Sequence, residues 1–243
     1  MNENFGVGAV LGTGFRVYAR NIIPFTLITA LVYLPMIIWT YVTFSDDHLS
    51  LAQIQHWQYA EPLVKLVLGS FVSATLTYGV VKELQGERAT IGACIATGFK
   101  RMLPALGVGI ATGLAVVVGT ILLIIPGLMA LCILYVATPA SVIEKPGVFG
   151  ALRRSGELTK GYRWQIFGLV LLLFILGWGA VKILESAFTP MATMHQVRTC
   201  ALGAIGLDVL LTALGSVIAA VAYTMLRGEK EGTSANDLAS VFE

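Results

Sequence analysis

Asp208 is the one acid inside a long apolar run of this chain, and His195 stands thirteen residues before it, so the first chemistry to weigh is proton transfer. A carboxylate at the centre of a bilayer costs about 2.5 to 3.5 kcal/mol on insertion scales, and such acids mark proton or ion pathways by default. Depth argues the other way. Counting about twenty residues back from Leu226 reaches Leu207, which places Asp208 at the outer boundary. There the start of a helix favours a negative charge, and water or a base such as Arg198 can face it. His195 is then a lone loop histidine, and His48 and His56 lie in another loop at an i, i+8 spacing that completes no ligand set. No Gly-x-Ser-x-Gly, His-Glu-x-x-His or phosphate-binding loop occurs. The expectation is therefore no catalytic residue, no metal, no cofactor and no enzyme, with Asp208 kept as the single intramembrane polar candidate.

The elements that would hold these residues are set by composition. Only 12% of the 243 residues are charged, where a soluble domain carries about 25%. With 56% hydrophobic residues and a mean hydropathy of +0.81, this is an integral membrane protein. The net charge of +2 is too small, and the bases too dispersed, for nucleic acid. Cys94, Cys132 and Cys200 share no oxidising compartment on the topology below, so no disulfide is expected. About twenty residues precede the first apolar run, which is longer than the core of a signal peptide, so it is expected to stay attached.

Long apolar runs give six spans, at residues 21–45, 62–81, 102–125, 127–143, 164–183 and 205–226, followed by a tail at 227–243. The longest run, Met102 to Ile143, would be about 63 Å as one helix and must fold back. Pro126-Gly127 near its middle reads as a tight outer turn, since proline removes a donor and glycine permits the bend. The fold class is thus an all-α, six-helix membrane protein forming one integral domain.

Bases set the orientation. With both termini inside, Arg16, Arg20, Lys82, Arg88, Lys100, Arg101, Lys145, Arg153, Arg154, Lys160, Arg163, Arg227 and Lys230 fall on the cytoplasmic side. Only Lys65, Lys182 and Arg198 fall outside. The first outer loop runs from Asp46 to Glu61 and the second from about Lys182 to Val197. Three triplets stand before apolar runs: Gly14-Phe15-Arg16, Gly98-Phe99-Lys100 and Gly161-Tyr162-Arg163. An aromatic beside a base suits the headgroup region. The segments preceding spans one, three and five are amphipathic and too polar to cross, so the chain reads as three pseudo-repeats of interfacial helix plus transmembrane hairpin. Gly107, Gly109, Gly113, Gly203 and Gly206 are spaced for close helix contacts.

From Tyr135 onward the chain carries Thr138-Pro139-Ala140, Glu144, Ala151-Leu152-Arg153-Arg154-Ser155, Leu158-Thr159-Lys160-Gly161 and Trp164. Two flanking stretches accompany this: Asn4-Phe5 with Phe15 to Asn21, and Ala222-Tyr223 with Leu226-Arg227, Lys230-Glu231-Gly232, Leu238-Ala239 and Phe242. Together they resemble the glycerophosphoryl diester phosphodiesterase membrane-domain family and the related YciC-like inner-membrane proteins. The resemblance implies a six-helix bacterial inner-membrane protein, fused in some relatives to a soluble phosphodiesterase. That enzyme's acidic and histidine ligands are not found here, so the membrane part alone is expected, and the family supplies no catalytic residues.

The leading functional expectation is a non-enzymatic membrane protein that meets anionic lipid, or a membrane partner or second copy, through its basic cytoplasmic helices. The bases concerned are Arg16, Arg20, Lys100, Arg101, Arg153, Arg154, Lys160 and Arg163. The rival is a small-molecule or lipid transporter, with Thr75, Thr77, Thr112, Thr120, Thr212 and Ser216 lining a polar cavity. A further rival is an accessory subunit of a larger membrane complex.

Overall fold

The computed structural model describes residues 5–44, 51–87, 89–187 and 194–232. Helix α1 (Val7–Arg20) ends at Asn21, whose side-chain amide donates to the Val17 carbonyl at 3.1 Å. Then come α2 (Ile22–Thr43), α3 (Leu51–Leu84), α4 (Ile91–Leu122), α5 (Ile124–Leu134), α6 (Ala137–Ile143), α7 (Gly147–Thr159), α8 (Arg163–Ala187) and α9 (Met194–Glu231). No strand occurs among the described residues. Six stretches are long and apolar enough to cross a membrane: Ile22–Thr43, Gln58–Leu84, Ile91–Leu122, Ile124–Ile143, Arg163–Leu184 and Arg198–Glu231. The chain is a polytopic membrane protein.

Several sequence boundaries move, each for a physical reason. The second span belongs to a helix that begins at Leu51, so residues 51–61 of the expected outer loop are helical; residues 46–50 lie outside the described set. The segment before span three is no separate interfacial helix. It runs unbroken through Pro104 into α4, because its residues already have a protein surface to pack on: Cys94 and Gly98 are buried against α3. Helices α1 and α7 are separate, short and amphipathic, whereas the middle copy is continuous with its span. Helix α9 starts at Met194, eleven residues before the expected span at 205, and runs through Glu231, so the tail begins later than Arg227. Residues 188–193 and 233–243 lie outside the described set.

The fold-back of the long apolar run is a single residue, Leu123, extended at φ −163° and ψ 146°, and not Pro126-Gly127. Pro126 falls in the first turn of α5, where a backbone donor has no helical partner and its loss costs nothing. Gly127 serves contact: a Cβ on it would stand 2.1 Å from Thr120 Oγ1, and one on Gly119 would stand 2.9 Å from the Gly127 backbone. The two arms therefore touch backbone to backbone.

Helix α9 is the hub. Half of its apolar window is buried, and Ile205, Val217, Ile218, Tyr223 and Leu226 are within the core formed with α1, α2, α3 and α8. By contrast only 11% of the α4 and α8 windows is buried, so these two helices leave most of their apolar surface on the outside of the bundle. Of the expected packing glycines, Gly107 meets Val148 and Gly109 meets Ser70. Gly203 is in ordinary contact with Leu184, while Gly113 and Gly206 meet nothing within 4 Å.

Gly98 is the tightest crossing, since an added Cβ would lie 2.0 Å from Thr75 Oγ1 and 3.2 Å from Phe71. Gly98→Ala should destabilise the fold by about 1 to 3 kcal/mol, as overpacking does, whereas Gly113→Ala should be neutral or slightly stabilising. Thermal unfolding in detergent, read side by side for the two variants, checks this ordering.

Candidate functional site

The fourth apolar stretch is broken at Tyr135 and Val136. Pro139 has no N–H for the Tyr135 carbonyl four residues back, and its ring crowds that position, so α5 cannot continue. The last carbonyls of α5 lose their helical donors in an environment without water, where each unsatisfied group costs several kcal/mol. Helix α7 supplies the substitutes. Ser155 Oγ donates to the Ile133 carbonyl at 2.7 Å, and Thr159 Oγ1 reaches the same oxygen at 3.3 Å. Ser155 and Thr159 are both fully buried.

One turn away, α6, α7 and α9 meet in a charged cluster. Arg154 Nε lies 2.8 Å from both oxygens of Glu144, and its other end pairs with Glu231. Tyr223 OH donates to Glu144 Oε1 at 2.6 Å, and Arg227 Nε pairs with Glu231 Oε2 at 2.9 Å. Lys230 Nζ donates to the carbonyl of Glu157. Two arginines thus balance two carboxylates. Burial opposes the Arg154 charge, but the hydrogen bonds it donates to Glu144 and Glu231 outweigh it and hold the guanidinium above its ordinary range. The chemistry this permits is clamping. Every carboxylate oxygen of Glu144 and Glu231 faces a base or the tyrosine.

The expected lipid-facing bases divide into two groups. Arg20 pairs with Glu83 at 3.1 Å, Arg153 with Glu157 at 3.4 Å, and Arg154 belongs to the clamp. Among the described residues, Arg16, Lys100, Arg101, Lys160 and Arg163 have no carboxylate within ion-pair distance. Exposed aromatics adjoin them: Phe15 beside Arg16, Phe99 beside Lys100, and Trp164 beside Arg163 at 85% exposure. The third triplet differs from the others, since Gly161 is a turn residue at φ +95° and Tyr162 packs edge-on against Phe5 at 5.1 Å.

Asp208 is not at the start of its helix, because α9 begins fourteen residues earlier. It forms an ion pair with Lys65 of α3, which also holds Glu61 at 2.7 Å. Arg198 stacks over the Tyr41 ring at 5.2 Å. Beside the pair, Tyr33 OH and Thr212 Oγ1 are 3.4 Å apart. The His195 side chain and all of His48 lie outside the described set, and His56 is exposed. Among the described residues no group of three or more His, Cys, Asp or Glu side chains could hold a metal.

Of the six hydroxyls proposed for a polar cavity, three serve their own helices, Thr212 faces Tyr33, and Thr112 Oγ1 is buried without a hydrogen-bond partner among the described residues. Thr75 donates to Phe71 O at 2.8 Å, Thr77 to Ser73 O at 2.6 Å and Thr120 to Val116 O at 2.8 Å. A groove of about 320 Å³ between α2, α3 and α4 is lined by Leu31, Val32, Val67, Phe71, Phe99 and Met102 among others, with no charged side chain.

No family model, curated protein or solved structure matches this chain.

Sequence reasoning missed the clamp as a unit. Its members were all in view, but residues 144, 154, 223 and 231 are joined only by the fold. Removing Arg154 leaves two partly buried carboxylates, Glu144 and Glu231, facing a single arginine, Arg227. Arg154→Gln should therefore cost about 2 to 4 kcal/mol, somewhat under a fully buried pair, while Arg153→Gln, whose i, i+4 pair is exposed, should change stability by less than about 0.5 kcal/mol. Denaturation in detergent measures both.

Proposed function

We propose that this is a non-enzymatic protein of the bacterial inner membrane, with both termini cytoplasmic, whose basic end engages anionic lipid headgroups. The observation that carries the reading is the set of five exposed or half-exposed bases without ion-pair partners, three of them next in sequence to exposed aromatics. A base near an anionic leaflet contributes about 1 kcal/mol, and only bases not already paired within the protein have that to give. This narrows the lipid-facing set to Arg16, Lys100, Arg101, Lys160 and Arg163. The family resemblance belongs to the same proposal. It is supported by the way its motif residues, Glu144, Arg154, Ser155, Thr159, Tyr223, Arg227 and Glu231, fall into one clamp and one helix break.

A second reading, transport of a lipid or small molecule, is favoured by one observation: a broken fourth helix in a protein that also carries a charged pair, Lys65 and Asp208, between two apolar helices. It ranks second because the groove is apolar and three of the six candidate hydroxyls are bonded to their own helices.

Replacing the five unpaired bases by glutamine should lower retention of anionic lipid at least about tenfold in native mass spectrometry, with insertion intact. Arg20→Gln with Arg153→Gln should leave retention unchanged. Equal loss in both variants, or in neither, would remove the lipid reading. For topology, Ser50→Cys in a cysteine-free background should react with an impermeant reagent added outside, and Ser234→Cys should not; the opposite pattern reverses the orientation.

A further inference from the structure

The groove between α2, α3 and α4 encloses about 320 Å³, and every side chain that lines it is apolar. Leu31 of α2 forms one wall, Val67 and Phe71 of α3 the base, and Phe99 and Met102 of α4 the other wall. A water molecule needs about two to four polar partners to stay in such a space, and these side chains offer none. Left empty, the groove would forfeit dispersion contacts along its whole lining. In a membrane protein the filling at hand is a hydrocarbon chain.

What separates the groove from the plain apolar faces of α4 and α8 is charge at its edge. Lys100 and Arg101 stand in sequence between Phe99 and Met102, and neither has a carboxylate within ion-pair distance among the described residues. Packing fixes their level. Phe99 meets Phe71 edge-on with ring centroids 4.8 Å apart, and a Cβ on Gly98 would stand 3.2 Å from the same Phe71 ring. Phe71 is thirteen residues before Leu84, about 20 Å of helix, and Glu83 at that end of α3 already holds Arg20. Arg20 is thus tied at the end of α3, whereas Lys100 and Arg101 leave α4 alongside the base of the groove, with long stems to carry their charges to its rim.

A neutral hydrocarbon would satisfy the lining and leave both bases unmet, and a free anion would do the reverse. A phospholipid of net negative charge answers both. We infer that the groove is a site for a single anionic phospholipid, with one acyl chain lying on Val67 and Phe71 and the phosphate taken by Lys100 and Arg101. The inference rests on the reading that unpaired bases meet anionic headgroups, and it gives two of the five a defined site. Arg16, on α1, and Lys160 and Arg163, at the α7–α8 turn, are outside it.

Phosphatidylglycerol titrated onto the full chain in detergent, read by native mass spectrometry, tests it. One molecule should stay bound per chain. Val67→Trp fills the groove with every base in place, and because Val67 is 39% exposed the ring enters the groove and not the core. This variant should weaken binding at least about tenfold, and so should Lys100→Gln with Arg101→Gln. Arg16→Gln with Lys160→Gln and Arg163→Gln should leave that molecule in place. Phosphatidylcholine should bind at least about tenfold more weakly, and excess inorganic phosphate, which brings no chain, should displace none of the bound lipid. Loss of lipid on removing Lys100 and Arg101 but not in Val67→Trp would overturn the groove site and leave headgroup binding standing. Loss in no charge variant would sink the headgroup reading itself. Should Val67→Trp fail to fold, the unaltered chain serves: phosphatidylglycerol with a diazirine on one acyl chain, added at one equivalent, should crosslink to residues 67–71 or 99–102, and crosslinks confined to other segments would overturn the site.

Discussion

Backbone hydrogen bonding without water is the constraint on which the rest of this structure depends. Once Pro139 interrupts the fourth apolar helix, the Ile133 carbonyl needs donors from elsewhere in the chain. Hydroxyl bonds between membrane helices average only about 0.6 kcal/mol and reach about 1.7, so the gain from Ser155 and Thr159 is modest. The cost of leaving the carbonyl bare is several times larger. That asymmetry makes α7 obligatory where it is. With α7 docked, Arg154 is brought beside Glu144, and the clamp follows.

The clamp in turn explains why so few bases are free. Arg154 and Arg227 are spent on carboxylates of α6 and α9, and Arg20 on α3. Low dielectric strengthens each of these pairs and makes each a poor ligand for anything else. The bases that remain unpaired are on the outside of α1, α4 and the α7–α8 turn. Two populations of the same residue types, indistinguishable by composition, thus hold different positions: one paired inside the protein, one on its surface.

Much of the fold could be read from charge-free runs, because a bilayer imposes a length on any helix that crosses it. The details that escaped are those a partner surface decides. Asp208 reads as a helix-start acid until α3 brings Lys65 alongside it. The segment Ile91 to Met102 reads as interfacial until Gly98 shows a surface of α3 to lie on. Pro126-Gly127 looks like the turn because such pairs so often are, yet the reversal fell one position before α5, where proline is harmless. The clamp residues were visible as a recurring motif, but nothing in their spacing says that 144, 154 and 231 share a site.

The order in which the clamp's parts are synthesised has its own consequence. Glu144 and Arg154 leave the ribosome about eighty residues before Glu231, and at roughly 5 to 20 residues per second that is a wait of several seconds. Throughout it Arg154 has one of its two carboxylates and α7 has no contact with the end of α9. The hairpin Gly119–Gly127 and the bonds of Ser155 and Thr159 to Ile133 join residues made early, whereas the contacts that fasten α7 to α9 need the last residues of that helix. The five residues that end α9 therefore act as a latch, and a chain cut just before them would insert its helices and remain unfastened.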